Sequence, residues 1–225
     1  LNERRGHAEV QFLKISVERH GALRLGVAGH GKARRGEARF QKRQGESNKM
    51  TKTIHCTISG LSPLLMHAYP LAPVEALEKK LPEEQAELAA YRIPTTKELC
   101  IPATAMQRAL IAGAAYSKGK GRASLQKPAA ACLLVEEIYL GLGTDKYEID
   151  VRPVVIPATK GRVVRYRPRI DTWKASFHLC YDETLLSAKQ VRAVVDDTGK
   201  HVGVLDFRPE KKGPFGRFIV TDWDD

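Results

Sequence analysis

Residues Trp173–Phe207 read WKASFHLCYDETLLSAKQVRAVVDDTGKHVGVLDF, and the three parts of this stretch decide the fold. Trp173, Ala175, Phe177, Leu179 and Tyr181 alternate with Lys174, Ser176, His178 and Cys180. A period of two predicts a strand with one buried face, and the apolar row, Trp173 included, belongs in the core. Asp182 is placed to cap a helix over 183–196, with Leu185, Ala188, Val191 and Val195 as its core stripe. Gly199 is placed to end that helix at the position that favours a left-handed residue. A strand over 201–207 follows, continued at 217–222. Strand, helix, strand is half of a larger pattern.

The other half lies upstream. Ile54, Cys56 and Ile58 alternate with His55, Thr57 and Ser59 in a strand over 53–60. A helix over 103–117 carries Thr104 and Gln107 at capping-box spacing, and a buried strand over 131–140 follows it. The order becomes β-α-β-β-α-β. The expected class is α+β, with a ferredoxin-like or RRM-like core whose two helices cover one sheet face and leave the other for a ligand. Two insertions interrupt it. Residues 73–91 form an acidic helical insertion, with Pro73 and Pro82 where first turns begin. Residues 146–157 and 161–170 form a β-hairpin around Ala158-Thr159-Lys160, a protruding finger or thumb.

The formal charge is +11 and the pI about 9.6, so acidic partners are expected, nucleic acid before membrane. No apolar run has spanning length. Residues 1–49 hold 12 Lys/Arg against 5 Asp/Glu and lack Pro, Trp and Tyr, a disordered composition. Gly45-Glu46 followed by Ser47-Asn48-Lys49 resembles a translated ribosome-binding site. Met50 is therefore expected to be the natural start, with 1–49 a translated leader and 50–225 the nucleic-acid-binding domain. Cys56, Cys100, Cys132 and Cys180 show no C-x-x-C pair, which points to free thiols in a reducing cytoplasm rather than to zinc. No metal constellation, Walker loop or dinucleotide fingerprint is present, and no cofactor is expected.

Three basic segments stand out. Arg165, Arg167 and Arg169 occupy alternate positions on the hairpin's second arm, after Arg162; on one strand face, such like charge suits phosphate or an acidic neighbour. Lys118, Lys120 and Arg122 sit in a glycine-containing loop. Arg208, Lys211, Lys212 and Arg217 surround the terminal loop Gly203–Phe218, with Phe207 and Phe215 as flat apolar faces. Cations and rings on a glycine loop suit single-stranded nucleic acid. The plainer reading is a hairpin with a solvated basic tip.

Ile101-Pro102-Ala103-Thr104-Ala105-Met106-Gln107-Arg108-Ala109-Leu110 resembles the proline-led helix of the RAMP superfamily, ferredoxin-like RNA-binding proteins of CRISPR systems. The terminal loop ending in Phe215-Gly216-Arg217-Phe218 is similar to that superfamily's glycine loop. The resemblance is nearest to the backbone subunits that line up along a guide RNA. It implies that Gly203, Gly213, Gly216 and Arg217 form the loop, that Arg108 is the basic helix position, and that residues 146–170 are the thumb. It further implies single-stranded RNA (a guide RNA) as ligand, and copies of the chain or other effector subunits of an antiviral complex as partners. Leu205 stands where the superfamily has a small residue. A phage-borne or minimal relative fits as well.

Some members of that superfamily cut RNA without a metal, using a histidine. His67, in Leu65-Met66-His67-Ala68-Tyr69-Pro70, is the candidate here; a hydrogen-bonded loop residue is the plainer reading. His178 and His201 fall in expected core strands. Other readings of the same basic surfaces are a phage single-stranded DNA-binding or annealing protein, and an assembly protein that docks on acidic neighbours.

Overall fold

The computed structural model describes residues 51–69, 79–155 and 161–224. The leader, Met50 and the hairpin connection Ala158-Thr159-Lys160 lie outside these, as does the start of the acidic insertion. The strands are β1 (Thr51–Gly60), β2 (Leu64–Leu65), β3 (Cys100–Pro102), β4 (Leu134–Val135), β5 (Tyr139–Gly141), β6 (Glu148–Val155), β7 (Arg162–Ile170), β8 (Lys174–Asp182) and β9 (Phe218–Asp224). The α-helices are α1 (Pro82–Leu88), α2 (Ala103–Gly113), α3 (Gln126–Cys132) and α4 (Ala188–Asp197).

The main sheet has the order β4-β8-β1-β9, every pair antiparallel. Along the core path β1-α2-β4-β8-α4-β9 this is second, third, first, fourth, the ferredoxin-like order. Ile54, Cys56 and Ile58 of β1 and Ala175, Phe177, Leu179 and Tyr181 of β8 bury their side chains against Met106 and Leu110 of α2 and Val191, Val194 and Val195 of α4. The alternation decides which face meets the helices, and Trp173 is buried with that row, its indole N–H donating to the Ser62 carbonyl. Burial pushes the Cys56 thiol up to about 12 and the Cys100 thiol up to about 11, so neither is a nucleophile at neutral pH.

The hairpin is present as read. β6 and β7 pair from Glu148↔Arg169 to Val155↔Arg162, and β2 joins β7 to make a three-stranded sheet. In the acidic insertion, Pro82 opens α1 as expected.

Five local expectations differ. The helix after β8 starts at Ser187, not Asp182. Ser187 and Gln190 form its capping box, while the Asp182 carboxylate accepts from the Thr184 amide and hydroxyl and so ends the strand in a turn. Leu185 therefore falls outside the helix and is exposed. Gly199 does not end the helix either. The chain passes into a π-turn, Thr198–Val202, and Gly203 follows at φ 72°. Gly199 is required for another reason: a Cβ there would lie 2.2 Å from the Phe218 carbonyl oxygen.

Residues 201–207 form no strand, because Gly203, Leu205 and Phe207 all have positive φ; β9 alone fills the edge. Thr104 and Gln107 do not cap α2, whose N-cap is Pro102. Gln107 instead donates to the Leu133 carbonyl and accepts from the Val135 amide, clamping β4 to the helix. Finally, 131–140 splits into the end of α3 and two short strands. Pro128 sits in the first turn of α3, where its missing N–H costs nothing.

Substituting Gly199 by Ala is expected to destabilise the fold by ~1–3 kcal/mol through overpacking against the β9 backbone. Urea denaturation with an unchanged m value checks this.

Candidate nucleic-acid interface

The open face of the main sheet is not an RRM-type platform. Its outward rows on β1 and β8 hold His55, Thr57, Ser59, Lys174, Ser176 and His178. The rings in these rows are the imidazoles of His55 and His178; they carry no Phe, Tyr or Trp. His178 is not a core residue. It is exposed, its Nδ1 lies 2.6 Å from Glu137, and its ring meets that of His55 at 5.0 Å. His201, expected in a strand, is exposed on the π-turn.

The terminal loop is a built object. Val204 N–H donates to Gly216 O and Phe215 N–H to Phe207 O, which close it on itself. Gly216 N–H donates to Pro63 O and Asp206 N–H to Leu65 O, which tie it to the segment after β1. Its glycines have no room for a side chain. A Cβ on Gly213 would lie 1.8 Å from Phe207 O, and one on Gly216, at φ 71°, 2.1 Å from Val204 O. Leu205, Phe207 and Lys212 also hold positive φ, a concentration of backbone strain of the kind found at functional loops.

The finger grips this loop. Arg167 is 6% exposed; its Nη1 lies 2.5 Å from Asp206 in the loop and its Nη2 3.5 Å from buried Asp150 of β6. The Arg152 Nε–H donates a bifurcated bond to both Asp150 carboxylate oxygens at 2.9 Å, and the guanidinium lies over the rings of Phe215, at 4.8 Å, and Phe207, at 5.9 Å. The cation–π contacts close the second side of the clamp.

The expected binding residues therefore divide. Arg167 is withdrawn from the surface and holds the loop in place. Arg169 pairs with Glu148 and Asp171. Phe215 is buried beneath Arg152, so it offers no face to a base, and Gly216 is an internal packing position. Arg208 pairs with Glu210 and donates to Leu205 O. The remaining cations, Arg165, Lys211 and Lys212, have no carboxylate partner among the described residues. Neither do Arg217 and, on the loop after α2, Lys118, Lys120 and Arg122. Arg217 is exposed and donates to the Lys200 carbonyl. Arg162 is exposed at the far end of the described part of β7, and Arg108 is exposed on the outer side of α2; nothing links either to the loop.

His67 stands beside the clamp. It is exposed, its carbonyl accepts the Tyr91 hydroxyl, and desolvation of the ring holds its pKa below 6.5. Asp206 opposes that shift, and Arg167 and Arg165 reinforce it. The side chains that sequence reasoning missed are Asp150, Arg152 and Asp206, the partners of the finger's arginines. Separately, a cleft of about 570 Å³ opens at the base of the finger between Lys146, Tyr147, Arg169 and Lys174.

No three His, Cys, Asp or Glu side chains among the described residues are grouped to hold a metal ion. No helix among the described residues is long and apolar enough to cross a membrane. No family model and no curated protein matches the sequence. Among solved structures, the chain is similar to one chain of the Type III-B Cmr-beta complex bound to cognate target RNA, solved by cryo-EM. The TM-score is 0.48 at 11% identity, over 87% of this chain and 67% of that one.

Replacing Arg167 by Ala leaves Asp206 without its cation and leaves Asp150 with Arg152 alone. It is expected to cost ~1–3 kcal/mol of stability, whereas Arg165→Ala costs less than about 0.5 kcal/mol. Thermal and urea unfolding of both variants distinguish the structural arginine from the half-buried one that pairs with no carboxylate among the described residues. A folded pKa below the unfolded value means the unfolded chain binds more protons at His67. Stability is therefore lost as pH falls from 6.5 through the folded pKa. His67→Gln is expected to flatten that part of the stability–pH profile.

Proposed function

We propose that this chain binds single-stranded RNA as a RAMP-like subunit that assembles along a guide RNA with copies of itself or other effector subunits. One observation carries the reading. A strained glycine loop, closed to side chains and clamped by a finger, presents Lys211, Lys212 and Arg217 on exposed positions, while Asp206 pairs with Arg167 of the finger and Arg208 with Glu210. Buried Arg167 and carboxylate-paired Arg152 hold the shape; cations without a carboxylate partner among the described residues are left for a ligand. Arg165, Lys211, Lys212 and Arg217, with Lys118, Lys120 and Arg122 beyond, form basic segments that a flexible phosphate backbone can touch in turn. The outward rows of β1 and β8 carry no Phe, Tyr or Trp, which favours these segments over the open face.

The test is the nucleic acid that co-purifies with the full chain. Single-stranded RNA of defined length is the expected result. Single-stranded DNA supports the annealing-protein reading instead, and recovery of neither overturns both. In binding assays, replacing Arg165, Lys211 and Lys212 together by Ala is expected to weaken affinity for every sequence. It should also flatten the dependence of log K on log salt by about 2, given ~0.7 per phosphate contact for single strands.

A second reading has an observation of its own. His67 is a solvent-reachable histidine whose pKa is lowered chiefly by desolvation, with Arg167 and Arg165 adding to that shift, hence a neutral base at pH 7. That combination suits abstraction of a 2′-hydroxyl proton beside a phosphate. Incubating the parent chain and His67→Ala with single-stranded and hairpin RNA decides it: cleavage by the parent that is lost in the variant supports the reading, and an inert parent ends it.

A further inference from the structure

Tyr116 and His201 come from distant parts of the sequence and form an exposed ring pair. Tyr116 lies just past the end of α2 and is 52% exposed. His201 projects from the π-turn after α4 and is also exposed. Their ring centroids are 4.9 Å apart and their planes differ by 26°, a stacked arrangement. The main chain is built to bring them together. Gly113 of α2 lies against Thr198, where a Cβ would come 2.0 Å from Thr198 Oγ1. The Thr198 hydroxyl donates to the Val194 carbonyl, so the π-turn is docked on α2 by packing that no larger residue permits. π-turns concentrate at functional sites because an extra residue re-aims the side chains that follow.

Cations adjoin the pair along the chain, and the nearby Asp197 carboxylate is taken up by the Ser117 hydroxyl at 2.6 Å. Lys118 follows Tyr116 by two residues, Lys200 precedes His201, and Arg217 donates to the Lys200 carbonyl at 3.0 Å. All three are exposed, and none has a carboxylate partner among the described residues. A pair of rings presented to solvent and flanked by positive charge has the makeup of a site for an unstacked base and its adjoining phosphates. The exposed phenol ring of Tyr116 is a face that neither buried Phe215 nor the outward rows of β1 and β8, whose rings are the imidazoles of His55 and His178, provide.

We infer that Tyr116 and His201 form a stacking platform for one base of a single-stranded nucleic acid, with Lys118, Lys200 and Arg217 holding its flanking phosphates. The inference rests on the nucleic-acid-binding reading above and adds the place where a base is held. The platform is indifferent to base identity, since every base has a π-face. It contributes affinity that salt does not remove.

The experiment uses the full chain and a fluorescently labelled single-stranded RNA, with fluorescence anisotropy as readout. Tyr116→Leu, which keeps apolar bulk but removes the π-face, is expected to raise Kd about 5- to 150-fold, the usual worth of one stacked base. Tyr116→Phe is expected to leave Kd within about twofold, and the salt slope should be the same in all three proteins. A set of oligonucleotides with one abasic site at successive positions supplies the second measurement. One position should weaken binding to the parent chain and have no effect on Tyr116→Leu, a coupling that loss of folding cannot mimic. Equal losses in both proteins at every position would overturn the platform while leaving RNA binding in place. A parent chain that binds neither RNA nor DNA would overturn the platform and the function it rests on together.

Discussion

The clamp on the terminal loop hangs on one guanidinium. Arg167 sits at the meeting of three segments, touching Asp150 on the facing strand and Asp206 in the loop. A charge this buried is tolerable only with partners close by. Its Nε has none, so its desolvation is only partly offset. Arg152 depends on the same carboxylate, Asp150, and lies over Phe207 and Phe215. Two arginines and two aspartates thus fix the orientation of the finger relative to the loop, with two phenylalanines as the apolar filling. Such ion groups buy little stability over an apolar core, but they accept one geometry and reject slips of register.

The finger's face illustrates what was readable in the sequence. Arg165, Arg167 and Arg169 do share a strand face, as their spacing dictates. The carboxylates that oppose them were equally spaced upstream: Glu148 and Asp150, followed by Arg152. Antiparallel pairing sets Glu148 against Arg169 and Asp150 against Arg167. The hairpin was legible, and so, in principle, was its charge pairing. What no local pattern carries is Asp206, which reaches Arg167 across 39 residues of chain.

The same division holds across the fold. The ferredoxin-like order followed from alternation in β1 and β8 and from the apolar stripes of α2 and α4, because burial is a repeated signal along a segment. The misread pieces were single-residue signals. Thr104 with Gln107, Asp182 and Gly199 each have the chemistry of a helix end, and each is used for something nonlocal or for a tighter turn. The strand expected over 201–207 failed on positive φ at Leu205 and Phe207, which non-glycine residues do not advertise. In the candidate interface, the cations were legible but their division into paired and free was not, since that depends on which carboxylates the fold delivers. Tyr116 and His201 carry no sequence relation to each other at all; only the docking of the π-turn on α2 joins them.

The position of β1 has a consequence for how the chain is made. This strand is the first described element, yet it lies inside the sheet, between β8 and β9. Its partners are residues 174–182 on one side and 218–224 on the other. A growing chain therefore carries the apolar row Ile54, Cys56, Ile58 without a neighbour until most of the polypeptide has been synthesised. Such nonlocal pairing gives a high contact order and slow sheet assembly. Early hairpins and α2 can form during synthesis, but the central strand waits for β8 and then β9, and the exposed edge in the interval is where chaperone binding or misassembly would act.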